Sequence, residues 1–250
     1  MKAFKNALVY VEGEGIKRYN LIFDGKIQSI GGNAESADVI SIPENATVFP
    51  GFIDEHIHGA GGADAMDGTL SELKTIADTI AGEGTTTFLA TTMTQSRENI
   101  LAAMKAVKEY REAAPETGAR LLGVHLEGPF IAAAHKGAQP LEYIVKPNID
   151  VFDEYNAASG NAIKIVTLAP EEEGARQLVA HLKELGVVPS IGHTGAKCAD
   201  IQNAVKAGAK NVTHAYNAQS PLHHREIGTV GSALLYDELN AELIADTIHV

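Results

Sequence analysis

His56 and His58 stand one residue apart at the end of the apolar run in PGFIDEHIHGAGG, and glycines follow at once. In an extended chain residues i and i+2 project to the same side, so this spacing aims two imidazoles at one point. Imidazole is the commonest neutral metal ligand, and Gly59, Gly61 and Gly62 let the backbone turn without crowding whatever is bound. A single histidine at a strand end is more often a satisfied polar group; a same-face pair favours a metal. The pattern recurs at Glu127 in GVHLEGPF, His193 in SIGHTG and His214 in NVTHAYNA. Each stands where an apolar, strand-like run gives way to a loop. Burying so many polar groups without partners would be costly, so convergence on a cation explains them better than core filling. Nitrogen and oxygen donors without a thiolate suit Zn, Fe or Mn, as one or two divalent ions.

Other ionisable residues carry less. His125 shares a face with Glu127 and reads equally as a support for the site or as a packed strand histidine. His181 falls on a helical segment and is expected at the surface, and His135 fits either role. Lys164 sits early in AIKIVTLAP, at the wrong end of its run to bridge metals, and is read as structural.

The elements that must position these residues change character along the chain. The first ~45 residues read as short strands broken by Gly and Asn, a small β domain over residues 1–50. Residues 51–250 alternate strand-like and helix-like runs, the signature of βα units around a parallel sheet. Seven strands are expected, in GFIDEHIHG, TTTFLATT, RLLGVHLEG, AIKIVTLAP, VVPSIGHTG, NVTHAYNA and AELIADTIHV. In LSELKTIADTIAGEG, Leu70, Leu73, Ile76, Ala77 and Ile80 share one face. Ser96 is the expected N-cap of a helix that buries Ile100, Met104 and Val107. EEEGARQLVAHLKELG opens with acids suited to a helix dipole and closes on Gly186; AKCADIQNAVKAG closes on Gly208. Polar residues at the ends of many strands fit the mouth of a (β/α)8 TIM-type barrel, here missing about its last strand, better than the single crevice of an open doubly wound sheet.

A net charge of −12 over 250 residues argues against an extended nucleic-acid surface. The single cysteine, Cys198, rules out an internal disulfide framework and fits a reducing, cytoplasmic setting. No apolar run approaches the ~18 residues of a membrane span.

Together, PGFIDEHIHG, HLEGPF, IGHT, THAYNA, HHREIG and IADTIHV resemble the N-acetylglucosamine-6-phosphate deacetylases of the amidohydrolase superfamily, in order and along the whole chain. The resemblance implies an amidohydrolase-type barrel with a small β-sandwich built from both termini, and a homodimer. It implies that Glu127, His193 and His214 hold a main metal and that His56 and His58, with Glu127 bridging, hold a second. It implies substrate contacts at Ala138, Asn217, Ala218, Arg225 and His249, the last reaching the neighbouring subunit's substrate. Arg225 offers a planar donor fork suited to a sugar phosphate, in a loop that His223 and His224 make more positive. The implied reaction is metal-dependent removal of the acetyl group from N-acetylglucosamine 6-phosphate, leaving glucosamine 6-phosphate and acetate, a step of amino-sugar catabolism.

The chain departs from the family in three places. Gln139 stands where histidine is frequent, and Gln219 where an apolar residue is common. The general acid–base aspartate at the end of an eighth strand falls beyond Val250, so these residues are expected to be part of a longer chain, with two unpaired sheet edges of their own. The alternatives are another amidohydrolase acting on cyclic amides, such as a hydantoinase or dihydroorotase, and a non-catalytic metal- or sugar-phosphate-binding fragment.

Overall fold

The computed structural model describes Met1–Val250, which divide into two compact units, Met1–Phe52 and Ile53–Val250. The first is a five-stranded sheet. β1 (Lys2–Val11) and β2 (Gly15–Phe23) form an antiparallel hairpin, β3 (Ile27–Ile30) extends it, and β4 (Asp38–Val39) and β5 (Thr47–Val48) pair parallel with β1. The β1–β2 register shifts between Phe4 and Ala7, where Asn6 takes a left-handed φ of 48° and its N–H donates to Asn20 Oδ1. Such a bulge re-aims the side chains beyond it. Ala3 and Ile22 gather with Ala34, whereas Ala7 and Val9 gather with Leu21.

The second unit supplies the scaffold for the histidines. β6 (Phe52–Ile57) runs into a tight hairpin, β7 (Gly59–Ala60) and β8 (Ala63–Asp64). There follow α1 (Leu70–Ala81), β9 (Thr85–Thr91), α2 (Arg97–Ala113), β10 (Arg120–Glu127), α3 (Ile149–Ala158), β11 (Ile163–Leu168) and α4 (Ala175–Glu184). The series ends with β12 (Val188–Ile191), α5 (Cys198–Ala207), β13 (Asn211–Val212), α6 (Gly228–Leu235) and β14 (Asn240–Ala241). β6 and β9–β14 make one seven-stranded sheet in chain order, β14-β13-β12-β11-β10-β9-β6, and every pair from β9 to β14 is parallel. The sheet curls so far that His56 on β6 and Glu242, one residue past β14, hydrogen-bond at 2.7 Å. This is the seven-strand, barrel-type sheet expected of the chain.

Local chemistry explains where the elements depart from expectation. In α1, Leu73, Ile76, Ala77 and Ile80 are buried, but Leu70 is 40% exposed, because the first turn overhangs the core. In α2, Ser96 Oγ accepts the Asn99 N–H and Ile100, Met104 and Val107 are buried. α4 does not open on its acids. Gly174, at φ 90°, is its N-cap, and Glu171 turns away to accept the Thr194 hydroxyl and the Gly195 N–H. The seventh strand is only two residues long. Past Glu242 the chain bends, and Asp246 accepts the N–H groups of Ile248 and His249 in a turn that ends extension. α3 and α6 were not anticipated. α3 carries its own start signal, Asn148 Oδ1 accepting the Val151 N–H.

The core test follows from α1 and α2. Met104 is fully buried, so Met104→Ala is expected to cost about 2–5 kcal/mol in urea denaturation, whereas Leu70→Ala should stay within about 0.5 kcal/mol of the parent.

Candidate metal centre

Glu127 ends β10 with its carboxylate 2% exposed and four imidazoles around it. Oε1 lies 2.8 Å from His193 Nε2 and 2.9 Å from His214 Nε2; Oε2 lies 3.0 Å from His58 Nε2 and 3.5 Å from His56 Nε2. The five residues proposed as ligands thus come together at the strand ends. They form two overlapping groups, Glu127–His193–His214 and His56–His58–Glu127, whose donor atoms in each lie within 4.8 Å of one another. His193 and His214 reach the centre from left-handed backbone, with φ of 48° and 32°. For a residue with a Cβ this conformation is strained, and here it turns the imidazoles inward where strand becomes loop.

Hydrogen bonding tests whether this set fits a cation. His193 Nδ1 faces the His135 carbonyl at 2.9 Å, and His56 Nδ1 faces the Glu242 carboxylate at 2.7 Å. Both acceptors require an N–H on Nδ1, so in the neutral rings Nε2 presents a lone pair to Glu127. His193 Nε2 also lies 3.1 Å from His214 Nε2. Lone pairs facing carboxylate oxygens at these distances repel unless a positive charge stands between them. Nδ1 of both His58 and His214 is buried without a partner. The donors therefore fit a divalent ion.

The electrostatics agree. Burial would pull the His56 imidazole down, but its bonds to Glu127 and Glu242 outweigh that and push it up to about 10. Burial would raise Glu127, yet the bonds from His193, His214, His56 and His58 hold it well below the ordinary carboxylate range. The centre demands positive charge, and an ion and a proton on His56 compete to supply it.

Beneath the centre runs a chain of hydrogen bonds with one direction. His125 is fully buried, and desolvation, reinforced by neighbouring His56, lowers it to about 4, so it is neutral. Its Nδ1–H donates to the Glu55 carbonyl (2.9 Å), which leaves Nε2 to accept the Thr167 hydroxyl at 2.7 Å. Thr167 must then accept from Thr213 (2.7 Å), and Thr213 from Ser190 (2.6 Å). Ser190 accepts one Asn211 Nδ2 hydrogen at 3.1 Å, and the other goes to Glu242 Oε1 at 2.6 Å. His125, Glu242 and His56 also meet as a possible ligand group, but both nitrogens of His125 are committed. His125 is therefore a support and not a ligand.

The remaining expected residues divide. Ala218 O accepts the Thr194 N–H at 3.1 Å, one residue from His193. A side chain at Gly137 would meet the His193 ring at 3.5 Å and the Ala218 methyl at 3.8 Å, so the loop carrying Ala138 passes beside the centre. Asn217 lies between His214, whose carbonyl accepts its N–H, and Ala218. Arg225 and His249 are exposed; the Arg225 main-chain N–H donates to His223 Nδ1, and the His249 ring bonds Asp246. Gln139 is buried, its Oε1 accepting the Thr94 N–H, and Gln219 Nε2 donates to the Thr213 carbonyl. His181 is not at the open surface as expected; it is half-buried between Asp153 and Phe152. Lys164 is exposed, on the opposite face of β11 from the buried chain. Glu242 and Asn211 were missed. Their signal was an amide opening one strand-like run and a carboxylate within another.

A curled parallel sheet with a carboxylate and four imidazoles at its strand ends is a barrel-type fold carrying side chains that could hold a metal ion. Residues 47–246 match the amidohydrolase family, and the chain belongs to it. It is 44% identical over 251 residues to the N-acetylglucosamine-6-phosphate deacetylase of Bacillus subtilis (strain 168), covering 98% of this chain and 63% of that protein. The crystal structure of the same enzyme from Thermotoga maritima superposes with a TM-score of 0.85 at 33% identity, over 99% of this chain and 64% of that one. A D267A mutant of the Mycobacterium smegmatis enzyme, in complex with N-acetyl-D-glucosamine-6-phosphate, gives 0.86 at 27%, over 100% and 64%. The chain thus spans a little under two thirds of these proteins.

The neutral His125 sets a pH dependence. Its folded value, about 4, lies below the ordinary 6.5, so the unfolded chain takes up a proton first as pH falls. The His125 contribution is therefore full above pH 6.5 and is lost below it, roughly 2 kcal/mol by pH 5. His56, raised, acts in the opposite sense: its contribution is full below pH 6.5 and is already falling at pH 7, so it offsets part of that loss, and the lowered carboxylates act only below about 4.5. Urea denaturation of metal-free protein at pH 7 and pH 5 should show the loss, and His125→Gln should flatten it.

Proposed function

We propose that the protein hydrolyses the acetamido group of N-acetylglucosamine 6-phosphate, using one or two divalent ions of Zn, Fe or Mn type. The observation that carries this reading is the Glu127 carboxylate facing four imidazoles, two of them fixed with lone pairs inward, in a chain 44% identical to a deacetylase of that name.

Glu127, His193 and His214 would hold one ion and His56, His58 and Glu127 the other. Ions held there would polarise a carbonyl and make water more acidic. The chain's own residues set the geometry: His135 O and Glu242 fix two ligand rings, and the left-handed turns at His193 and His214 aim them. Water adds to the acetyl carbon, the C–N bond breaks, the sugar nitrogen takes a proton and acetate leaves. Ala138, Asn217 and Ala218 border the sugar, and the exposed Arg225 offers its guanidinium fork to the phosphate. The enzyme is taken to act as a cytoplasmic homodimer in which His249 reaches the partner's substrate. A cyclic-amide hydrolase is less well supported, since Lys164, the residue that could carry a bridging carboxylate, faces away from the centre.

Full-length protein should release acetate from N-acetylglucosamine 6-phosphate and stop on chelation. Glu127→Gln should lower kcat/KM at least about 100-fold, as removal of a shared ligand and its charge requires. Cleavage of hydantoin or dihydroorotate with the sugar phosphate left intact would overturn the assignment.

A further inference from the structure

Glu242 lies outside the ligand set, yet it is the most connected side chain beneath it. Oε2 accepts His56 Nδ1–H at 2.7 Å and lies 3.3 Å from the His214 main-chain N–H, while Oε1 accepts from Asn211 at 2.6 Å. Asn211 is itself held by Ser190, at the end of the directed chain from His125. A carboxylate behind a ligating imidazole fixes its tautomer and ring orientation and raises its basicity. Here the carboxylate is also fixed, because Asn211 can only donate to it.

We propose that Glu242 is a positioning residue for the ion held by His56, His58 and Glu127, and that Asn211 acts on the same ion through Glu242. The inference rests on the metal-dependent reading of the centre. It assigns Glu242 no bond to the ion: its two oxygens are occupied by His56 and Asn211. Loss of either residue leaves His56 free to rotate or to move its proton to Nε2, so that its lone pair leaves the centre.

Cobalt(II) added to metal-free wild-type protein and followed by equilibrium dialysis and visible absorption should give two ions bound. In Glu242→Gln and Asn211→Ala one ion should bind about 10–100-fold more weakly, with the coordination bands of the remaining ion unchanged and far-UV circular dichroism of the metal-free protein preserved. In wild-type protein loaded with diamagnetic zinc, the 15N shifts of His56 should report a protonated Nδ1 and an unprotonated Nε2, a readout that needs no variant to fold. Two ions bound at wild-type affinity in both variants would refute the positioning role alone. So would altered cobalt bands in Glu242→Gln with normal binding in Asn211→Ala, which would make Glu242 a ligand, or a proton on Nε2 of His56. A wild-type protein that binds a single ion leaves Glu242 nothing to position and also refutes it. Failure of the wild type to bind any ion would bring down the metal-dependent reading as well.

Discussion

A buried carboxylate facing four imidazoles is tolerable only if positive charge sits among them, and the rest of the barrel unit is arranged around that requirement. Glu127 cannot remain ionised at 2% exposure without compensation. His193 and His56 cannot supply it as neutral rings, because the His135 carbonyl and Glu242 hold their Nδ1 protons outward. The choice is between a cationic imidazole and a divalent ion, and a site built from N and O donors in this number favours the ion.

The scaffold follows from that choice. A ligand ring must be held in one orientation, which asks for a second layer of fixed groups. Parallel strands provide it: Thr167, Ser190 and Thr213 place their hydroxyls at one level under the centre, between neutral His125 at one end and Asn211 at the other. Each member has only one consistent donor role. Replacing any hydroxyl with an isosteric methyl would leave a buried neighbour unpaired, which costs more than the bond contributed. At the other side of the ligands, strained backbone at His193 and His214 is retained where a relaxed strand would carry the rings past the centre.

The residues that gather around Glu127 were legible in the sequence because their signal is local. His56 and His58 advertise themselves by i, i+2 spacing beside glycines, and Glu127, His193 and His214 by interrupting apolar runs at strand ends. The parallel βα order was legible for the same reason, as were the stripe and cap of α2. What escaped depends on partners far along the chain. Glu242 looks like one more acid in a strand until β14 is placed against β13 and opposite β6. Glu171 reads as a helix-dipole acid until Gly174 shifts the start of α4 and Thr194 claims the carboxylate. α3 was overlooked because Ile149, Val151, Phe152 and Tyr155 are weak helix formers; packing of buried Phe152 and Tyr155 overrides that preference. Leu70 shares the helical face of Leu73 and Ile76, but periodicity says nothing about where the covering layer stops.

The contact between His56 and Glu242 joins residues 186 apart in sequence. Closing so long a loop carries an entropic cost that must be met before the contact returns anything. Local βα units have no such cost, so they can form while the first and last strands are still unattached. The centre that uses both strands is then among the last parts of the molecule to acquire its geometry. A partly folded chain would offer a passing ion the ligands of neighbouring strands, and the full set only once the sheet has curled round on itself.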